Sequence, residues 1–592
     1  MDIHAVLTQT PLFSRIPADA MTDLATRAQV VEIKSGGTLF EVGGPSDGIY
    51  VVVTGRLRVV LANGTVAGEV VRHEPVGEMG LLSGEPRSAS IYAVRDSILL
   101  KFEREDLLNF AMQYPAALFE ITRVMMVRLR QNRRSVALED VRSAHNYAII
   151  PATDDVDSVA FARTFTDALA QHDGAMMVDH AFVDERLGHG SAHKHFTDGD
   201  INPRLMTLLN TVEDEHRYLV YAAGAEAGAW ARRCMRQADR IIVVCQSDSM
   251  AVAGPMLESL RTSGVRAPID LVMLRPQGAS PRQIFAWREC VNATGHYFLR
   301  PDSPEDWAAL VRQLTGRGIG LVLGGGGARG FAHIGLMKAL RQLRIPVDLI
   351  GGASMGAFLS ALIARGCDPE EMTQIARETF VKHNYLNDYM FPTVALIRGR
   401  KFVQRLHEVF EETQIEQLRI PYFCVSTNLT RGTTVVHDRG PLYLWLATSM
   451  SVPGVAPPVV YRGELLCDGA VLNSLPTDVM QSLRRGPIIA SDVSTEGNLL
   501  APGIEGPDPE ALVRWNAPSE RPTLFSILFR TASITSESGI IARAARATAQ
   551  DASPCRSGNS AGRTRARCNA RPPSPDRWRS VHLLPIAKQW AR

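Results

Sequence analysis

Residues 319–364 read IGLVLGGGGARGFAHIGLMKALRQLRIPVDLIGGASMGAFLSALIA, and the organisation of the whole chain follows from this stretch. An apolar strand over Ile319–Leu323 runs into four consecutive glycines, Gly324 to Gly327, then Ala328-Arg329-Gly330 and an amphipathic helix. A second strand, over Val347–Ile350, leads into Gly352-Ala353-Ser354-Met355-Gly356, which opens a further helix over Ala357–Ala364. Four glycines remove every Cβ from the first turn, so several backbone N–H groups can converge on one point. Such convergence at a helix N-terminus stabilises an anion, either a bound phosphate or an oxyanion formed during acyl transfer.

The residues after the glycines exclude the phosphate loop of nucleotide hydrolases. That loop requires a lysine followed by a hydroxyl, and Arg329-Gly330-Phe331 supplies neither. In G-x-S-x-G the flanking glycines, here Gly352 and Gly356, permit the tight strand-to-helix turn that pushes the serine hydroxyl out above the sheet. A serine needs a base to become nucleophilic. The order serine, carboxylate, histidine fails here, because the only histidine after Asp468 is His582, in an arginine-rich tail. An aspartate acting directly on the serine is the economical alternative. Asp468-Gly469-Ala470 follows the hairpin pattern Val459–Leu466, which places a carboxylate at a strand end beside a glycine.

Together these residues resemble the patatin-like phospholipase family, whose pattern is G-G-G-x-[RK]-G, then G-x-S-x-G, then D-G-[GA]. All three occur in order, and the resemblance covers roughly residues 317–500. It implies an α/β hydrolase domain with a Ser354–Asp468 dyad, an oxyanion hole from the amides of Gly325, Gly326 and Gly327, and Arg329 supporting that loop or the developing charge. Gly352 and Gly356 shape the nucleophile elbow. The implied substrate is a lysophospholipid, a phospholipid or another carboxylester, with no cofactor for catalysis and no metal.

A chain of 592 residues should hold several domains, since single cores stop growing near ~250–300 residues. The 45% hydrophobic content is ordinary, and the net charge of +2 gives no global pull toward nucleic acid. Eight cysteines are scattered without a C-x-x-C pair, which fits a reducing compartment and argues against both a disulfide framework and a zinc site. The N-terminus lacks the pattern of a signal peptide, and no apolar run reaches the ~18 residues of a membrane span. The expectation is a cytoplasmic protein able to touch the inner membrane surface peripherally. Two segments combine aromatic and aliphatic residues with nearby arginines, Tyr385–Pro392 and Leu524–Phe529, and suit either a lipid interface or buried core.

Before residue 140, short β-rich runs at Gly48–Val53, Arg56–Leu61 and Ser97–Phe102 alternate with glycine turns, and a helical pattern ends in the long segment Leu118–Arg134. This predicts a β-roll with flanking helices. Within it, Gly77-Glu78-Met79-Gly80-Leu81-Leu82-Ser83-Gly84-Glu85-Pro86-Arg87-Ser88-Ala89 carries one guanidinium and one well-placed carboxylate around a helical turn. A guanidinium beside helix-start amides suits a cyclic phosphate, and a nearby carboxylate can accept from a ribose hydroxyl. The segment resembles the phosphate-binding cassette of the cyclic-nucleotide-binding domain family, G-E-x-x-L followed by R-[ST]-A. The resemblance implies that Glu78 takes the ribose 2′-hydroxyl and Arg87 the phosphate, with Gly77, Ser88 and Ala89 supplying further contacts. The ligand would be cAMP or cGMP, acting allosterically. A β-roll that keeps this shape and binds nothing is the alternative.

Between the two lies a region, about Tyr147 to Gly316, in which apolar runs alternate with helical segments such as Asp157–Gln171 and Ser303–Leu314, the rhythm of a parallel α/β layer. It has no G-x-G-x-x-G after its first strand and reads as structural. His189, His193 and His195 lie in a glycine-containing loop that suits solvent better than a metal. From Asp551 onward Arg, Pro, Ser and Gly dominate, as in a disordered basic tail or a changed reading frame.

The expected architecture is therefore α/β multidomain: an N-terminal β-roll over 1–140, a connecting α/β domain over 141–316, a patatin-like hydrolase domain over 317–545 and a tail over 546–592. Adding the cyclic-nucleotide cassette and the segment Trp230–Asp239, the chain resembles the neuropathy target esterase branch of the family. The expected function is a Ser–Asp esterase regulated by a cyclic nucleotide. A nucleotide-sensing binding protein with an inactive hydrolase domain is the competing class.

Overall fold

The computed structural model describes residues 2–14, 16–64, 66–78, 85–115, 145–195, 201–274, 284–382, 387–391, 393–483 and 485–493, with single positions at 122, 385, 507, 510, 511 and 527. The predicted helix Leu118–Arg134 apart from Thr122, Met79–Gly84 of the cassette, Leu524–Phe529 apart from Ile527, and the tail lie outside the described residues. The chain divides into two compact units, one of Met1–Gly320 with Leu483–Pro487 and one beginning at Leu321.

The first unit opens with the β-roll. Its strands are β1 (Gln29–Ile33), β2 (Thr38–Phe40), β3 (Gly48–Thr54), β4 (Leu57–Leu61), β5 (Val66–Val70), β6 (Pro75–Val76), β7 (Ala89–Ala93) and β8 (Ser97–Glu103). They form two four-stranded antiparallel sheets, ordered β1-β8-β3-β6 and β2-β7-β4-β5. Apolar side chains of β3 and β8 pack with the helices Ile3–Gln9, Ala18–Thr26 and Arg104–Gln113, burying Phe13, Phe102 and Phe110 completely. Burial of such side chains supplies about 1.5–3 kcal/mol each.

The same unit continues into a six-stranded parallel sheet of β9 (Asn146–Pro151), β10 (Ala175–Val178), β11 (Tyr218–Ala222), β12 (Arg240–Gln246), β13 (Ile269–Leu274) and β14 (Gly295–Leu299), in the order β10-β11-β9-β12-β13-β14. The predicted helix over Asp157–Gln171 is present as Ser158–Ala170 with Asp157 as its N-cap, and Ser303 caps Pro304–Leu314 in the same way. The first of these caps sits where a phosphate would approach the helix. Asp157 accepts from the amides of Val159 and Ala160 at 3.1 and 2.9 Å, so the chain's own carboxylate fills the anion position of the first helix. Gly188 and Gly190 take positive φ values of 102° and 78°, and the exposed His189, His193 and His195 sit around a single 3-10 turn, Ser191–His193.

A buried ion cluster joins the β-roll to this sheet. Asp239, 3% exposed, lies 3.1 Å from Nε of Arg56 and 3.0 Å from Nε of Arg95, and its other oxygen accepts the amides of His145 and Asn146 at 2.9 and 3.1 Å. Arg95 also donates to Glu213 at 2.9 Å, and Arg236 holds Asp96 at 2.9 Å. The two arginines and the donated amides hold the Asp239 carboxyl below the usual range against the opposing effect of burial.

The second unit is built on β15 (Gly320–Leu323), β16 (Leu349–Ala353), β17 (Tyr422–Asn428), β18 (Thr433–His437), β19 (Val459–Tyr461), β20 (Glu464–Asp468) and β21 (Ile488–Ser491). The order is β19-β20-β17-β16-β15-β21, with β18 also on β17. The elbow helix Met355–Arg365 buries Phe358, Leu359, Ala361 and Leu362 completely, and its one buried hydroxyl, Ser360, donates to the Gly351 carbonyl at 3.1 Å. The predicted strand Val347–Ile350 instead occupies Leu349–Ala353. Its two glycines are tolerated inside the strand because the Phe423 ring of β17 lies where a Gly351 side chain would stand.

Candidate active site

Strand register brings the serine and the aspartate together. On β17, Val425 is level with Ala353 of the parallel strand β16, and the next residue, Ser426, is level with Asp468 of the antiparallel strand β20. Ser354, one step beyond Ala353, and Asp468 thus flank β17 at one height, two inter-strand spacings or roughly 9.5 Å apart. Their side chains close that gap, and Ser354 Oγ donates to Asp468 Oδ2 at 2.8 Å.

The serine is held in a strained conformation. Its φ of 52° and ψ of −124° lie in a region costly for any side-chain-bearing residue. Several contacts fix it there: its amide donates to Ser449 Oγ at 3.0 Å, and Ser449 in turn donates to the Val425 carbonyl at 2.7 Å. The elbow glycines are required by close approach. A Cβ on Gly352 would stand 2.6 Å from the Leu323 carbonyl oxygen, and one on Gly356 the same 2.6 Å from that of Gly324.

Asp468 is 2% exposed and its Oδ1 accepts the Ala470 amide at 2.8 Å. Burial pushes its carboxyl up to about 7, although the bonds from Ala470 and Ser354 favour the ionised form. A base with that affinity is poised for proton transfer near neutrality.

The glycine loop lies against this pair, for a Cβ on Gly325 would be 3.3 Å from Ser354 Cβ. The expectation for Gly325 needs correcting, because its amide donates to the Ser474 carbonyl at 2.9 Å and is not available to an oxyanion. Among the described residues, the amides of Gly326, Gly327 and Met355 have no hydrogen-bond partner. Met355 is the residue after the nucleophile, the position from which an elbow helix supplies an oxyanion donor. Arg329 is exposed, and its Nε lies 3.4 Å from the Gly326 carbonyl, a contact that holds the loop from outside. Sequence reasoning also missed His333 and Ser449. A histidine on the apolar face of the helix Ala332–Gln342 was the available signal for the first; for Ser449 there was none.

In the β-roll, Arg87 is 4% exposed and donates to Asp47 Oδ1 at 2.7 Å, the Gly77 carbonyl at 3.1 Å and the Gly48 carbonyl at 2.9 Å. The Phe40 ring covers it, 4.0 Å from the guanidinium carbon. Gly77, at φ 86°, takes the left-handed conformation that favours glycine, and a Cβ there would crowd Arg87 Nη1. Glu78 is half-buried in the turn after β6, Ser88 is exposed and Ala89 begins β7. Around Asp47, burial opposes ionisation but Lys101 and Arg87 outweigh it and hold the carboxyl low.

Comparison with known proteins agrees with these three regions. Residues 321–480 match the patatin-like phospholipase family, 143–312 the neuropathy target esterase family P-loop like domain, and 30–114 the cyclic nucleotide-binding domain. The chain is 32% identical over 519 residues to human patatin-like phospholipase domain-containing protein 6, covering 78% of this chain and 37% of that protein. It is 31% identical over 514 residues to neuropathy target esterase sws of Drosophila melanogaster, covering 78% and 36%, and 30% identical over 522 residues to rat patatin-like phospholipase domain-containing protein 7, covering 78% and 38%. The chain thus spans well under half the length of the relatives it matches.

Proposed function

The chain belongs to the patatin-like phospholipase family, in its neuropathy target esterase branch and with a cyclic nucleotide-binding domain ahead of the hydrolase domain, and from that premise we propose that it hydrolyses carboxylesters of lysophospholipids or phospholipids. The observation that carries the proposal is the 2.8 Å bond from Ser354 to a buried carboxylate with no imidazole between them. Asp468 takes the hydroxyl proton as Ser354 Oγ attacks the ester carbonyl. The oxyanion is received by the amides of Gly326, Gly327 and Met355, each such donor being worth ~2.7–4 kcal/mol in comparable sites. The proton on Asp468 passes to the departing alcohol, and the acyl group stays on Ser354. Water, deprotonated by Asp468, attacks the acyl-enzyme and releases the fatty acid and the serine.

Aromatic packing closes the core behind the loop. Phe331 ends the glycine turn and packs on Phe380 at 5.9 Å; Phe380 meets Phe358, one turn beyond the nucleophile, at 5.4 Å. Peripheral contact with a lipid surface is part of the proposal. Tyr389 and Phe391 of the predicted interfacial segment are 72% and 83% exposed, and Val394 is 62% exposed. Among the described residues, no helix is long and apolar enough to cross a membrane. Vesicle co-sedimentation that is undiminished after changing Tyr389 and Phe391 to Ser would remove this element.

We further propose that the cyclic nucleotide-binding domain takes cAMP or cGMP through Arg87, with Glu78 on the ribose and Gly77, Ser88 and Ala89 around the phosphate. A phosphate arriving at Arg87 must share the guanidinium with Asp47, so ligand entry and the Asp47–Arg87 pair are linked. Turnover of a lysophospholipid panel by the purified protein, with and without each nucleotide, tests both parts. Turnover absent throughout while nucleotide binds would favour the sensing protein with an inactive hydrolase domain.

A further inference from the structure

Glycine-rich loops are poor at holding a shape. Each of Gly324 to Gly327 loses more conformational freedom on ordering than any other residue would, and none has a side chain with which to anchor itself. Oxyanion donors work only when fixed in advance. Something outside the loop must therefore hold it.

We infer that His333 is the positioning residue that fixes the start of the oxyanion loop, by closing a ring of hydrogen bonds around Gly324. The Gly324 amide donates to the Ser491 carbonyl at 2.9 Å. The Ser491 hydroxyl meets His333 Nδ1 at 3.0 Å, and His333 Nε2 meets the Gly324 carbonyl at 3.0 Å. The roles follow from chemistry. A carbonyl can only accept, so Nε2 carries the ring proton; Nδ1 is then a bare lone pair, and the Ser491 hydroxyl donates to it. Both backbone groups of Gly324 and both ring nitrogens are satisfied in one cycle.

The location of the ring gives the cycle its purpose. His333 is 1% exposed, in the first turn of the helix Ala332–Gln342 into which the loop runs, while Ser491 ends β21 beside β15. The cycle ties the start of that helix to the end of the strand from which the loop departs, with Gly325 to Gly327 spanning the interval. Burial lowers the proton affinity of His333, which keeps the ring in the neutral form that the cycle needs. The Ser474 carbonyl on the Gly325 amide and Arg329 on the Gly326 carbonyl hold later points of the same loop. His333 does not touch the reacting atoms. It acts through the position of the Gly326 and Gly327 amides, where an error of about 1 Å can cost about 100-fold in rate.

This inference rests on the hydrolase proposal and is tested with the full chain as His333→Ala, His333→Gln and Ser491→Ala. Turnover of a lysophospholipid is measured alongside affinity for a trifluoromethyl ketone that adds to Ser354 as a tetrahedral oxyanion. We expect His333→Ala to lower kcat about 100-fold with KM changed by less than about threefold, and to weaken ketone binding by a similar factor. A glutamine can place an amide donor near the Nε2 position, so His333→Gln should recover at least about tenfold of the loss; Ser491→Ala, which leaves the ring unanchored, should lose about tenfold. Should His333→Ala fail to fold, the glutamine and Ser491 variants decide. Ketone affinity and kcat unchanged in Ser491→Ala and His333→Gln, or a folded His333→Ala with wild-type kcat, would overturn the assignment. Wild-type turnover is the control that separates the two levels: its absence sinks the hydrolase proposal, whereas wild-type turnover with an unaffected His333 variant sinks only the clamp.

Discussion

Ser354 and Asp468 meet through one oxygen each, at 2.8 Å, while the second carboxylate oxygen of Asp468 is bound to the Ala470 amide at 2.8 Å. That division of labour leaves the aspartate a single direction in which to take a proton. The first prediction follows: Asp468→Asn should lower kcat by at least about 1,000-fold with the fold intact, since the amide keeps the shape and loses the base. Circular dichroism together with steady-state kinetics checks it.

The second prediction concerns pH. Asp468 must be ionised to act, and burial raises its carboxyl to about 7 in the folded protein. The rate should therefore climb as pH rises through about 7 and level off above it, a single ascending limb in kcat/KM. Stability runs the other way. A carboxyl whose affinity for a proton is higher folded than unfolded contributes stability that is fully present below its unfolded value, near 3.8, and is lost as pH rises through about 7. Asp468→Asn should remove that part of the pH dependence, which urea unfolding at a series of pH values will show.

The third prediction tests the elbow. An added Cβ at Gly356 would stand 2.6 Å from the Gly324 carbonyl oxygen, a backbone atom that cannot rotate away. Gly356→Ala should cost about 1–3 kcal/mol of stability by overpacking and displace the loop that carries the oxyanion donors. Thermal unfolding and kcat should fall together.

The fourth prediction lies in the first unit. Asp239 neutralises Arg56 and Arg95 where the β-roll meets the parallel sheet, and all three are at most 5% exposed. Asp239→Ala would take the shared carboxylate from two buried guanidinium groups, leaving Glu69 to Arg56 and Glu213 to Arg95, at a cost of about 1–3 kcal/mol. The structure adds a further reason to look there. β3 begins at Gly48, which binds Arg87, and ends just before Arg56; β7 begins just after Arg87 and ends just before Arg95. The proposed nucleotide site and the ion cluster thus occupy opposite ends of the same two strands, and calorimetry of cAMP and cGMP binding to Asp239→Asn will show whether they communicate. Arg87→Ala should weaken that binding about 10- to 100-fold.

Much of the site was legible in the sequence, because its parts are enforced locally. Gly352 and Gly356 must be glycine for a turn this tight, and Asp468-Gly469 marks a strand end, so Ser354 and Asp468 stood out from their context together with the resemblance to the patatin pattern. What escaped depends on register between distant segments. The Gly325 amide looked available until Ser474, from the far end of the domain, proved to hold it. Ser449 and Ser491 act through one hydroxyl each, and nothing in their local sequence distinguishes them from ordinary serines. His333 could have been suspected as a polar residue on an apolar helix face, but its partners are Gly324, just after β15, and Ser491, at the end of β21, two strands that only the sheet order makes neighbours. The shift of β16 toward its glycines has the same origin, since the Phe423 ring that replaces a side chain there comes from the next strand.

The central claim is that Ser354 is a nucleophile activated by Asp468 alone. The most direct measurement is fluorophosphonate labelling of the full chain, read by intact mass and peptide mapping, in wild type, Ser354→Ala and Asp468→Asn. The account predicts one adduct on the Ser354 peptide in wild type, none in Ser354→Ala, and a labelling rate lowered at least about 100-fold in Asp468→Asn. An adduct that persists in Ser354→Ala, or that forms at the wild-type rate in Asp468→Asn, would contradict it.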